Sequence, residues 1–355
     1  MVKEKQVLFW LIGIVTFLVI LSTLASMLLP FVAGLAIAYL LDPLVDQLEN
    51  YGFSRSIATI SIVLIFFMVV IFILFLLLPL LQAQVINLAS LLPDLIEKMQ
   101  IYLLPLLERL QTDLAPESID QLKLTASSYG GEVIKWFSRV IGELWKGGVA
   151  FFSLISLVII TPVVAFYLLR DYDNIIEWVD SYLPRSSRQI ILQQFRNIDD
   201  VIAGFVRGQA SVCMVLIIFY GISLTVVGLN SGLLVGLGAG AISFIPYIGA
   251  AVGLLVGLAI AFVQFSDWTP IILVGSIFII GQVAESYFLT PHLVGDRIGL
   301  HPVWIIFALL AGGALLGFTG ILLAVPGAAI IGVLVRFSLT KYRESYLYSG
   351  DLEDN

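Results

Sequence analysis

Residues Ile57 to Leu81 are nearly all Ile, Leu, Phe, Val and Met and carry no charge. About 20 such residues cross a bilayer as one helix, because a helix pairs every backbone N–H and C=O within its own segment and lipid offers no other partner. The rest of the chain repeats the pattern in blocks. Of 355 residues 60% are apolar and only 12% charged, with a mean hydropathy of +1.05, whereas a water-soluble domain has about 45–50% and about 25%. A chain of this length has no core large enough to hide that excess, so lipid is the expected solvent. The class that follows is an all-α integral membrane protein.

Apolar blocks and their breakers predict a first span near Val7 to Ser22 and a second near Met27 to Leu41, with Pro30 in its first turn and Asp42-Pro43 at its end. Ile57 to Leu81 is the third. Residues 1–81 thus form an N-terminal group of three helices. Residues 82–147 are mixed in charge and read as an extramembrane insert. Val85, Leu88, Leu92, Leu95, Met99, Tyr102 and Leu106 recur there at steps of three and four, on one face of an amphipathic helix interrupted by Pro93 and Pro105. That stripe is either an oligomer seam or a face packed on the protein's own surface.

A fourth span occupies 148–169 and ends at Arg170-Asp171-Tyr172-Asp173. Residues 170–208 are amphipathic, with Ile191, Phe195, Ile198, Ile202 and Phe205 on one face, as expected of helices along a membrane surface. Residues 209–337 hold the Gly- and Pro-rich spans Ala210 to Val227, Ser231 to Val263, Thr269 to Leu289 and Val303 to Val335, and 338–355 form a tail. Counting the Pro246 stretch once gives about eight crossings. Lys and Arg then gather on the side of both termini, which the positive-inside rule makes cytoplasmic. The N-terminus has no small-residue cleavage site and reads as an uncleaved span.

Several function classes are disfavoured. A net charge of −7 without a clustered basic face is not that of a nucleic-acid binder. The lone Cys213 permits neither an internal disulfide nor a cysteine metal cluster. His292 and His301 stand nine apart with no cysteine framework and read as loop residues. No nucleophile elbow, His-Glu-x-x-His or phosphate-binding loop ending in Lys is present, so neither an enzyme nor a cofactor is expected.

Glu285 is the acid placed well inside an apolar run. An ionised acid at mid-span costs about 2.5–3.5 kcal/mol on the translocon scale, so Glu285 must face a cavity, a partner or a proton. It either couples ions or ties helices together through Gln282, one turn away, and Ser286. Pro246, followed by Tyr247 and Gly249, and Pro326 each interrupt an apolar stretch. They mark either the lining of a substrate path or plain kinks. Gly253 with Gly257, and Gly313 with Gly317, put small residues at spacing four, a helix-packing pattern. Pro291, Gly295 and Pro302 punctuate the loop between the last two spans.

With these motifs in order, namely Asp42-Pro43, Phe166 to Asp171, Gly208-Gln209, Pro246, Gly249, Gln282, Glu285, Pro291, Gly295, Pro302, the glycines 312, 313, 317 and 320, and Pro326, the sequence resembles the autoinducer-2 exporter family of bacterial membrane proteins. The resemblance implies a multi-span transporter of the bacterial inner membrane that assembles as a homo-oligomer. It also implies export of a signalling molecule or another small polar solute, or sodium (lithium)–proton antiport. Without a nucleotide-binding motif, uphill transport has to draw on an ion gradient or the substrate's own gradient, with Glu285 as the candidate proton or sodium site. A non-transporting oligomeric scaffold is the remaining reading.

Overall fold

The computed structural model describes residues 23–110, 149–294 and 300–345, together with Gly13 and Tyr348. The first expected span apart from Gly13, the second half of the insert, Gly295 and the tail beyond residue 345 apart from Tyr348 lie outside the described residues. Within them the chain is helical and contains no strand: α1 (Ala25–Asn50), α2 (Arg55–Leu110), α3 (Val149–Ser181), α4 (Arg188–Val226), α5 (Gly232–Ile242), α6 (Ile248–Gln264), α7 (Trp268–Ala284), a π-helix π1 (Glu285–Val294) and α8 (Pro302–Arg343). Five of the described helical stretches are long and apolar enough to cross a membrane.

The stretch Arg55–Leu80 is the clearest case, because only 6% of its most apolar window is buried within the protein. Phe72, Phe75 and Leu76 are more than half exposed. Water would not tolerate such a surface, and lipid requires it. The multi-span helical class read from the sequence therefore holds. The prolines of the insert do not interrupt the backbone, since α2 runs as one helix of 56 residues through Pro93 and Pro105. At 1.5 Å per residue it is about 84 Å long, against about 30 Å of hydrocarbon.

Two compact units partition the chain. One draws on Met1–Phe67, Ser156–Ser211 and Leu289–Asn355. Ala38, Leu41 and Val45 of α1 pack there with Ala58 and Val63 of α2 and Leu169 of α3. Gly34 lets α1 approach α3, where a Cβ would come within 2.7 Å of Val164. Val201 of α4 joins Ala329 and Val333 of α8 in a second cluster. Arg55 ties the polar ends together, donating to the Leu169 carbonyl at 3.0 Å and pairing with Asp173 at 2.9 Å and Glu49 at 3.3 Å.

Within this unit α8 is not the single span expected over Val303 to Val335. Gly317 takes φ 59 and ψ −139, values that end a helix, and the chain doubles back there. Gly312 meets Gly320 backbone to backbone, Gly313 faces Ile321, and Leu300 reaches Gly332. These pairings step symmetrically about the bend, as in an antiparallel helical hairpin. Gly317, expected on a packing face, has open space where a Cβ would point and is the bend itself. Pro326 sits inside the continuing second arm and does not break it.

The other unit, Met68–Ile155 with Val212–Phe288, holds a second hairpin. Its arms α5 and α6 turn at Pro246, where Tyr247 adopts the left-handed φ of 69. Gly249 lies so close to Ser243 and the Ala239 carbonyl that a side chain has no room, and Gly253 faces Ala239. At the base Gln264 donates to the Gly228 carbonyl at 2.6 Å and accepts from the Asn230 N–H at 2.8 Å. Gln84 of α2 accepts from the Leu234 N–H at 2.8 Å, occupying an N–H that the first turn of α5 leaves unpaired. The 11 and 17 residues of these arms correspond to about 16 and about 25 Å. The Pro246 stretch is thus a hairpin and not the single broken span that the eight-crossing count assumed.

Candidate functional site

Glu285 closes α7 and opens π1. A π-turn widens the backbone by one residue per turn and is frequent at functional sites. Pro291 falls inside this segment, where its missing N–H and its ring are both poorly suited to a regular α-helix. The Glu285 side chain is 3% exposed, and its Oε2 has no hydrogen-bond partner among the described residues. Gln282 and Ser286, the expected tethers, bond each other at 3.1 Å. Neither bonds Glu285 Oε2.

The neighbours of Glu285 come from α4. Tyr220 is fully buried, and its hydroxyl likewise has no described partner. One turn before Glu285, Gly281 leaves a notch that the Tyr220 ring fills, since any Cβ there would overlap it. Phe278 stacks on Tyr220 with ring centroids 4.8 Å apart. Gly253 and Gly257 then press α6 onto Phe278, with room for a Cβ only at 2.5 and 2.8 Å from its ring. Gly253 and Gly257 thus bring α6 close to Phe278 of α7, the ring that packs on Tyr220. Tyr220 and the buried Cys213 are both within electrostatic reach of Glu285.

The buried carboxyl oxygen and the buried phenol both lack partners among the described residues. Leaving such a group unpaired in a buried place costs about 1–3 kcal/mol. One carboxylate is too few for a divalent ion that takes six or more oxygens. No group of three metal-ligating side chains occurs among the described residues.

The remaining sequence candidates divide. Pro246, Tyr247 and Gly249 form the tip of the α5–α6 hairpin, with Tyr247 exposed and Gly249 buried. Pro326 and Gly313 belong to the α8 hairpin of the other unit. Pro302 opens α8 at its first position, and His301 caps it by accepting from the Val303 N–H through Nδ1 at 3.4 Å. Sequence reasoning missed Tyr220, because Ala210 to Val227 reads as a plain span. A phenol in mid-span was the available signal.

A chain of long, lipid-exposed helices, two of whose segments fold back as hairpins and one of which carries a buried acid, has the build of a polytopic transport protein. The sequence profile of the AI-2E family transporters matches residues 8–339. The chain belongs to that family. YrrI, a candidate transport protein of Bacillus subtilis (strain 168), is 31% identical over 315 residues, covering 87% of this chain and 86% of YrrI. YueF, a candidate transport protein of the same strain, is 27% identical over 324 residues, covering 89% and 84%. PerM, a candidate permease of Escherichia coli (strain K12), is 25% identical over 311 residues, covering 88% and 87%.

Proposed function

We propose that this protein is an ion-gradient-coupled exporter of a small polar solute, with Glu285 as its coupling site. The observation that carries the reading is the buried Glu285, whose Oε2 has no partner among the described residues, within electrostatic reach of the buried Tyr220 hydroxyl, which has none among them either. A carboxyl there exchanges a proton for a monovalent cation without leaving bare charge in hydrocarbon. The same oxygens support sodium (lithium)–proton antiport as the second reading, in which no organic solute moves.

The hairpins suggest a topology. If each returns to the side from which it entered, the chain makes about six crossings with two re-entrant segments. Both termini then stay in the cytoplasm of a bacterial inner membrane. Arg297, Arg336, Lys341 and Arg343 fall on that same side, in better accord with the positive-inside rule than eight crossings allowed. Residues 82–147 are the outward insert, with α2 extending beyond the bilayer. The apolar stripe from Val85 to Leu106 is a seam for homo-oligomer formation.

The test is solute flux in proteoliposomes under imposed proton or sodium gradients, with a panel of small polar metabolites. Wild-type protein is expected to accumulate at least one solute only when a gradient is present, and Glu285→Gln to abolish this while folding normally. Equal flux in the variant removes Glu285 from the mechanism. No solute- or ion-dependent flux in wild type leaves the scaffold reading.

A further inference from the structure

The first unit contains a cavity of about 320 Å3 walled by α1, α3 and α4. Its polar wall is Tyr39, Asp42, Tyr172, Asp199, Asp200 and Arg207, and its apolar wall includes Leu35, Leu168 and Ala203. Tyr39 and Tyr172 donate to the same oxygen, Asp199 Oδ1, at 2.8 and 2.7 Å. Burial and this carboxylate push the Tyr172 phenol above its ordinary range, so it remains a donor and Asp199 an acceptor.

Arg207 is already engaged. Its Nε donates to the Tyr39 carbonyl at 2.8 Å and its Nη2 to Asp42 Oδ2 at 3.2 Å. Arg55 is shared among Asp42, Asp46, Glu49 and Asp173. The cavity wall therefore sets Asp42, Asp199 and Asp200 against Arg207, with Arg55 reaching Asp42 at 3.7 Å from outside the wall, so carboxylates still outnumber guanidiniums. An anion is repelled here, and the carboxylate of a zwitterion finds no uncommitted cation. An ammonium finds carboxylates and two phenol rings, both of which attract cations. The volume is at the small end of ligand pockets, and the aliphatic wall suits a hydrocarbon body.

We propose that this cavity is a binding site for a small organic ammonium ion, its charge held by Asp199 and Asp200 and its apolar body against Leu35, Leu168 and Ala203. The site stands apart from the reading of Glu285 and does not depend on it.

Calorimetric titration of the purified full chain in detergent at neutral pH tests this with three probes of one skeleton: phenethylammonium, phenylethanol and phenylalanine. Phenethylammonium is expected to bind saturably, and the alcohol and the zwitterion about tenfold or more weaker. Asp199→Asn should weaken the ammonium by about tenfold or more. Ala203→Leu, which fills the cavity and keeps its charges, should abolish binding with an unchanged unfolding temperature. Glu285→Gln should bind as wild type. No saturable heat with phenethylammonium, equal binding of the alcohol, tighter binding of phenylalanine, retained affinity in Ala203→Leu, or lost affinity in Glu285→Gln each overturns the proposal.

Discussion

Gly312 and Gly320 lie backbone against backbone across the bend at Gly317, with no space for a Cβ on either. This contact turns the last apolar segment from a span into a hairpin. Small residues are needed because in lipid the arms gain from close packing, with little hydrophobic drive between them.

Replacing Gly320 with Ala should therefore force the arms apart and cost about 1–3 kcal/mol, the range for overpacking a tight contact. Gly327→Ala, where nothing lies within 4 Å of the added carbon, serves as the control and should be neutral or slightly stabilising. Thermal unfolding in detergent reads both. Equal unfolding temperatures for wild type and Gly320→Ala would mean that the arms do not pack through this pair.

Much of this fold was legible in advance, and its errors have local causes. Ile57 to Leu81 announced a span because no alternative solvent suits it, and Glu285 stood out because an acid in an apolar run is costly. The α8 bend was hidden. Gly317 sits among several glycines, and only its positive φ separates a bend from a packing stripe. Pro326 drew attention to the wrong turn, since a proline can persist in a helix whose freed carbonyl finds another partner. The mid-span phenol of Tyr220 was a signal that the sequence could not connect to Glu285, because the link runs through its packing on Gly281 and Phe278 of another helix.

Removing the Tyr220 hydroxyl separates structure from function. Tyr220→Phe deletes a buried group that has no described partner, so stability should be unchanged or slightly raised. Ion affinity, read from the gradient dependence of flux, should fall by about tenfold, the worth of one hydrogen bond to a charged group. A loss of stability with unaltered ion dependence would make the phenol structural.

Arg55 donates to the Leu169 carbonyl and faces four carboxylates with its side chain 19% exposed. Arg55→Ala should cost about 2 kcal/mol by leaving a carbonyl and a carboxylate without their donor. Lys restores the charge but not the fork, so Arg55→Lys should recover only part of it. Chemical unfolding in mild detergent compares the three proteins.

The Arg188 guanidinium holds the Asp180 carboxyl below the usual carboxylate range, with a hydrogen bond of 2.6 Å from Nε. A lowered value in the folded protein means that this link is present above the ordinary aspartate pKa of about 3.9 and is lost as pH falls past the lowered one. Hydrogen-exchange protection around residues 181–188, the turn between α3 and α4, taken relative to the intrinsic exchange rate at each pH, should fall below about pH 4. Asp180→Asn should exchange rapidly already at neutral pH. Protection in wild type that does not change with acid would show the pair to be idle.

Ion movement itself tests the coupling claim most directly. Proteoliposomes loaded with a pH-sensitive dye are given a sodium pulse, with and without the best solute from the panel, and internal pH is followed. Wild type should show a protein-dependent pH change that Glu285→Gln lacks at equal reconstitution. An identical trace from the variant would contradict the assignment of Glu285 as the site where the ion is exchanged.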